Sequence, residues 1–163
     1  MSLEIVPGSV PNDDYFSLWA VPTGNPVSVA ILNAITSKRI TYSLTPAGYN
    51  RTDNQDTVSD ERLTLAQLLE RPGRKTTTLE VQYVWGDPAD VARVVLAEGT
   101  ALKLVARWAM SNATDPAVGQ KVDVLTVLCG KQRKDAPSAN GVHTITQKLF
   151  ITAPVQDDQL LVA

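Results

Sequence analysis

The chain owns few side chains with which to do chemistry. Its 163 residues include one histidine, His143, and one cysteine, Cys129. A Ser/His/Asp or Cys/His arrangement would have to recruit one of these two. Neither lies in a nucleophile context, since His143 heads one strand-like run and Cys129 ends another. The dull assignments therefore stand: a strand-end histidine and a cysteine acting as a small buried hydrophobe. A zinc centre needs more His and Cys than the chain holds. Asp53-Asn54-Gln55-Asp56 invites a calcium reading, but an EF-hand loop requires Gly at its sixth position and Glu at its twelfth. Counted from Asp53, these are Val58 and Thr64. A looser site built from Asp53, Asp56 and Asp60 stays open beside a solvated or interface segment. No cofactor is expected.

Composition narrows the class further. A hydrophobic share of 44%, a charged share of 20% and a net charge of −2 describe an ordinary globular domain, not a basic surface that neutralises phosphates. Such a balance is compatible with a channel through which DNA slides. One cysteine cannot form an internal disulfide and suits a reducing compartment. The N-terminus has no basic, apolar leader, and no run approaches the ~18 apolar residues of a membrane span. The expectation is a soluble protein made in the cytoplasm. Asn50-Arg51-Thr52 and Asn112-Ala113-Thr114 match the glycosylation acceptor pattern by chance in that setting. The basic clusters Arg71/Arg74/Lys75 and Lys131/Arg133/Lys134 read as solvated turn charges, with inter-subunit salt bridges second.

The elements that must carry these residues are mostly strands. Residues 1–26 hold Pro7, Pro11, Pro22 and Pro26, so they read as an extended arm with one short strand around 15–21. VSVAILNA (27–34) and KRITYSL (38–44) suggest a hairpin, with Ile40, Tyr42 and Leu44 on one face. Residues 45–60 lack apolar periodicity and read as a long polar loop, a length that compact domains rarely carry without a use. Leu63, Leu65, Leu68 and Leu69 fit a strand or a helical turn equally, and Pro72-Gly73 a turn. TTTLEVQYVW (76–85) alternates Leu79, Val81, Tyr83 and Trp85 against Glu80 and Gln82, the clearest strand. Asp87 as N-cap, Pro88 at the first position and Gly99 past the end predict a helix over 88–98. Strands follow at 100–109, 120–130 and 143–153. The fold class is mainly β: a β-sandwich or open barrel of about 7–8 strands with one flanking helix, a long polar loop and an extended N-terminal arm. Residues 27–163 form its single β domain.

With no catalytic constellation, the surfaces carry the reading. Two extensions that cannot close a core of their own, on a domain with strand edges to spare, point to assembly. A ligand-binding β-sandwich with Trp19, Trp85 or Trp108 as stacking platforms is the alternative, although Trp85 and Trp108 alternate with core positions and are expected to be buried.

The run ITYSLTPAGYNRTDNQDTVSDERLTLAQLLERPGRKTTTLEVQYVW, followed by the D-P-A-D helix start and the strands from Thr100 onward, resembles the major tail tube proteins of long flexible-tailed bacteriophages. The resemblance covers about two-thirds of the chain. It implies a structural virion protein, not an enzyme, made and assembled in the host cytoplasm and ending in the tail. It implies hexameric rings stacked into a tube around the tape-measure protein, with the tail terminator and tail-tip proteins at its ends and DNA passing without specific binding. No membrane is involved. The tail terminator and other tail-assembly proteins share the fold and remain an alternative. Carried onto this sequence, the 45–60 segment becomes an inter-subunit contact arm presenting Tyr49, Arg51, Asp53, Asp56 and Asp60. Residues 1–26 become a second contact arm through Tyr15, Phe16 and Trp19. With no further surface domain after the β domain, the implied tube is smooth.

Overall fold

The computed structural model describes residues 8–24, 26–62 and 66–163. Its strands are β1 (Phe16–Pro22), β2 (Lys38–Arg39), β3 (Leu44–Asp60), β4 (Leu69–Val84), β5 (Ala101–Trp108), β6 (Lys121–Lys134), β7 (Thr144–Ile151) and β8 (Gln156–Leu160). The two short helices are α1 (Val29–Leu32) and α2 (Val91–Val95). The strands form one antiparallel sheet in the order β2-β1-β5-β6-β7-β4-β3, with β8 pairing the start of β6. Phe16 of β1 packs against Tyr49 of β3 with ring centroids 5.2 Å apart, although five strand intervals separate them in that order. In a flat sheet the separation would be about 24 Å. The sheet is therefore curled into a half-barrel, as the mainly β expectation of 7–8 strands requires.

Alternation decides which face of each strand is buried. Leu18 and Ala20, Leu102 and Leu104, Leu125 and Val127, Ile145 and Leu149, and Leu79, Val81 and Tyr83 all point into the curl and make the main core. Ala92 and Leu96 of the α2 region close it. The alternate residues of the β1–β5–β6 end, Trp19, Val21, Val105, Val122 and Val124, make a second cluster on the outer face, roofed by Leu32 of α1 and by Leu161. Cys129 lies in the main core, where burial pushes its thiol up to about 11. Among the described residues no helix is long and apolar enough to cross a membrane.

Five expectations are corrected. The 27–34 run is not a strand: Ser28 caps it, accepting from the Ile31 amide, and one helical turn follows. A short apolar run carries no period long enough to separate the two outcomes. Its proposed hairpin partner shrinks to β2 and a 3-10 turn over Thr41–Ser43, leaving Ile40 buried and Tyr42 exposed. The helix over 88–98 contracts to α2, because Asp90 takes the cap by accepting from the Arg93 amide, while Asp87 and Pro88 stay in the turn before it. The polar loop over 45–60 is a strand, and Pro72-Gly73, with the basic run Arg71/Arg74/Lys75, lies inside β4 rather than in a turn. Gly73 sits at the register irregularity opposite Asp56, where a Cβ would press on the Asp56 backbone. The expected leucine segment falls partly on Leu63 and Leu65, outside the described residues; Leu68 and Leu69 are exposed.

One polar staple ties three elements together across the outer face. The Asp135 carboxylate accepts from Thr144 and Thr146 of β7, both at 2.8 Å, and from Gln82 of β4 at 3.0 Å. Desolvation pushes its pKa up, but these hydrogen bonds outweigh it and hold the carboxyl below its ordinary range. A depressed folded value means that the stabilisation is complete above the unfolded pKa of about 3.9 and disappears as pH falls through the folded one. Asp135→Asn should therefore cost on the order of 1 kcal/mol at pH 7 after solvent screening. Melting curves of both proteins should converge below the ordinary carboxylate range. A gap independent of pH would mean that the charge is not its source.

Candidate assembly surface

β3 and β4 form a hairpin much longer than the sheet that supports it. β7 covers the far side of β4 only from Leu79 to Val84, whereas β4 pairs with β3 out to Leu69 and Asp60. Beyond Arg51↔Leu79 the two strands pair, among the described residues, only with one another. From Asp53 to Asp60 this free ribbon extends about 25 Å. Its residues are exposed on both faces, and the apolar Val58, Leu68 and Leu69 cluster at its far end. Isolated two-stranded ribbons are marginal in water, so this one depends on its root or on a partner.

The root is a dense clamp. Arg51 lies 2.8 Å from Asp53 on its own strand, 3.2 Å from Asp123 of β6 and 2.8 Å from Asp157 of β8. Asp123 also accepts from the Trp108 indole at 2.9 Å and from the Asp158 amide at 3.0 Å. Phe16, Tyr49 and Trp108 stack beside it with centroids 4.7–5.7 Å apart. Burial opposes the Arg51 charge, but the bonds to Asp157 and Asp53 raise its pKa regardless. Burial, partly offset by Arg51, pushes the Tyr49 phenol up to about 12. A cleft of about 800 Å³ opens under the ribbon, between Asp53, Gln55 and Lys75 and the Pro154 turn.

The predicted contact residues thus divide. Tyr49 and Arg51 belong to the clamp, and Asp53 lies at its edge. Asp56 and Asp60 lie out on the ribbon, Asp60 beside Arg62 at 3.1 Å. Spread along one strand, Asp53, Asp56 and Asp60 do not converge, and among the described residues no group of three or more His, Cys, Asp or Glu could hold a metal. Of the N-terminal trio, Tyr15 precedes β1 at the surface, Phe16 joins the aromatic stack, and Trp19 is buried between the guanidinium groups of Arg39 and Arg107 at 5.3 and 5.1 Å. That segment is a strand of the sheet from Phe16 onward. Trp85 is covered by Arg93 and Lys134 and faces His143. Trp108, expected to be buried, is 49% exposed because it stands at the rim where the curl ends. Asp123, Asp157 and Asp158 were not read from sequence, and Trp108 only as a stacking platform, since the tertiary fold alone brings them to Arg51.

These features, a half-barrel with open edges and an exposed ribbon, can be set beside known proteins. Residues 6–163 match the family described as phage tail tube protein. The chain belongs to that family. It is accordingly a structural tail protein of the tail tube family, a class that is not normally enzymatic. Among solved structures, the tail tube chain is similar to one from the cryo-EM structure of the anti-feeding prophage baseplate, 6-fold symmetrised. The TM-score is 0.53 at 15% identity, covering 99% of this chain and 97% of that one. At that identity the likeness speaks for the fold. No curated protein matches the tail tube chain in sequence.

Proposed function

We propose that this chain is the repeating subunit of the tail tube of a long flexible-tailed phage. Copies close into hexameric rings, and the rings stack into a tube. The tube encloses the tape-measure protein during assembly and later serves as the conduit for DNA, without specific binding to it. The tail terminator and tail-tip proteins bound its ends. Family membership supports this reading, and the observation that carries it is the free ribbon of β3 and β4. A two-stranded extension with an apolar end and no buried side chain among its described residues is a contact element awaiting another surface. The clamp at Arg51 fixes the direction in which it leaves the body.

A tail terminator or another tail-assembly protein with the same fold would carry a similar ribbon. Length separates the two: a tube protein polymerises without limit, whereas a terminator stops at a single ring. Negative-stain microscopy of the concentrated protein, alone and seeded with tail-tip complexes, should show six-fold rings and tubes of variable length. Single rings that never elongate would favour the terminator. A protein that stays monomeric at every salt concentration, seeded or not, would overturn both.

A further inference from the structure

The ribbon sorts its charges by strand. Past the clamp, whose edge holds Asp53 against Arg51, β3 carries Asp56 and Asp60 and no base, while β4 between Leu69 and Thr78 carries Arg71, Arg74 and Lys75 against one acid, Glu70. Within the hairpin these charges are not set directly opposite one another. Asp53 faces Thr77, Asp60 faces Leu69, Lys75 faces Gln55 and Arg71 faces Val58. Among the described residues the only ion pair between the two strands is the long diagonal from Arg71 to Asp60 at 4.0 Å. Both outer edges of the ribbon are open among the described residues: β3 pairs only with β4, and β7 leaves β4 at Leu79.

We infer that the ribbon docks edge to edge with the ribbon of a second copy, the acidic β3 edge of one against the basic β4 edge of the next. This rests on the assembly reading above and adds to it a polarity. Open edges are commonly protected by charge of either sign, which discourages pairing in general. One sign per strand does something more selective. Two acidic edges repel, two basic edges repel, and only unlike edges gain favourable cross-strand charge pairs. The interface is therefore heterologous, using different surfaces on the two copies. Such an interface propagates in one direction and either closes into a ring or runs on as a filament. A two-fold dimer through a single edge is selected against. Because the pairs lie at the surface, the docking weakens as salt rises above the ionic strength that screens them.

Two double variants test it. Asp56→Lys with Asp60→Lys makes both edges basic, and Arg71→Glu with Arg74→Glu makes both acidic; neither touches the clamp or the core. Each alone should assemble at least tenfold less readily than the native chain, by sedimentation and negative stain, with an unchanged melting transition. An equimolar mixture of the two should assemble again, alternating basic and acidic subunits. Native-like assembly by either variant alone, or a mixture as inert as its folded components, would overturn edge docking while leaving the tube reading in place. If the native chain itself does not assemble, the tube reading fails first. Loss of the melting transition in a variant would mean the ribbon charges serve folding, which also overturns the inference.

Discussion

Replacing residues 54–76 with an Asn-Gly turn should abolish self-assembly and leave a folded, monomeric body. The cut falls where the structure permits it. Asp53 and Thr77 are directly paired, and the Thr77 hydroxyl donates to the Asp53 carboxylate at 2.5 Å. A two-residue type I′ turn can close strands at that register. Among the described residues of the excised ribbon none is buried, whereas Tyr49, Arg51, Leu79 and Val81 are all retained. The change in stability should stay near the ±0.5 kcal/mol typical of surface substitutions, about 1–2 °C in melting temperature. The assembly effect should be all or none, because the deletion removes the ribbon's apolar end and both of its charged edges. Tubes formed by the truncated protein would exclude the ribbon as the principal contact. A collapsed melting transition would show that it is part of the folding unit instead.

Gln147→Leu should have the opposite profile, with a large loss of stability and no direct effect on contacts. Gln147 is fully buried on β7. Its amide donates to the Leu96 carbonyl at 2.8 Å and the Gly130 carbonyl at 2.7 Å, and its own oxygen accepts from the Tyr83 hydroxyl at 3.0 Å. Leucine keeps the volume but removes the acceptor of the Tyr83 hydroxyl and the side-chain donor to the Gly130 carbonyl, while Leu96 retains Gln132 at 3.1 Å. Two buried hydrogen bonds lost in this way cost about 2–4 kcal/mol, or roughly 5–15 °C for a chain of this size. Hydrogen exchange should rise first at the α2 end that Gln147 holds. Below its lowered melting point the variant should still form tubes at native protein concentration. A shift under about 2 °C would mean that the network contributes little.

These two outcomes also mark what could be read from the residues alone. Alternation reveals a strand when one of its faces is buried, which is why Leu79, Val81 and Tyr83 announced β4. The same logic failed over 45–60. Both faces of that strand meet solvent, so no alternation is selected and polar residues with one proline and one glycine look like a loop. That it extends from the body was legible; its conformation was not. The 27–34 run failed for the converse reason: apolar residues crowd together under the outer cluster, and Ser28 alone signalled the helical turn. At the ribbon's root, Arg51 was visible as a candidate, but its partners Asp123 and Asp157 lie 72 and 106 positions further along the chain. No local pattern could bring them together, because the curl of the sheet does so. Strand β8, short and anchored through Leu161, left almost no trace of its own.

The clamp also has a mechanical meaning. Arg51 is held from three directions, by its own strand, by β6 and by β8, and the aromatic stack beside it reaches β1 and β5. In engineering terms the ribbon is a cantilever with a built-in end. Force applied at its tip passes through one rigid joint into nearly every strand of the body instead of peeling β3 from β4 one hydrogen bond at a time. Compliance is thus confined to the free length past Asp53. A filament linked through such elements would bend between its subunits while each subunit kept its shape.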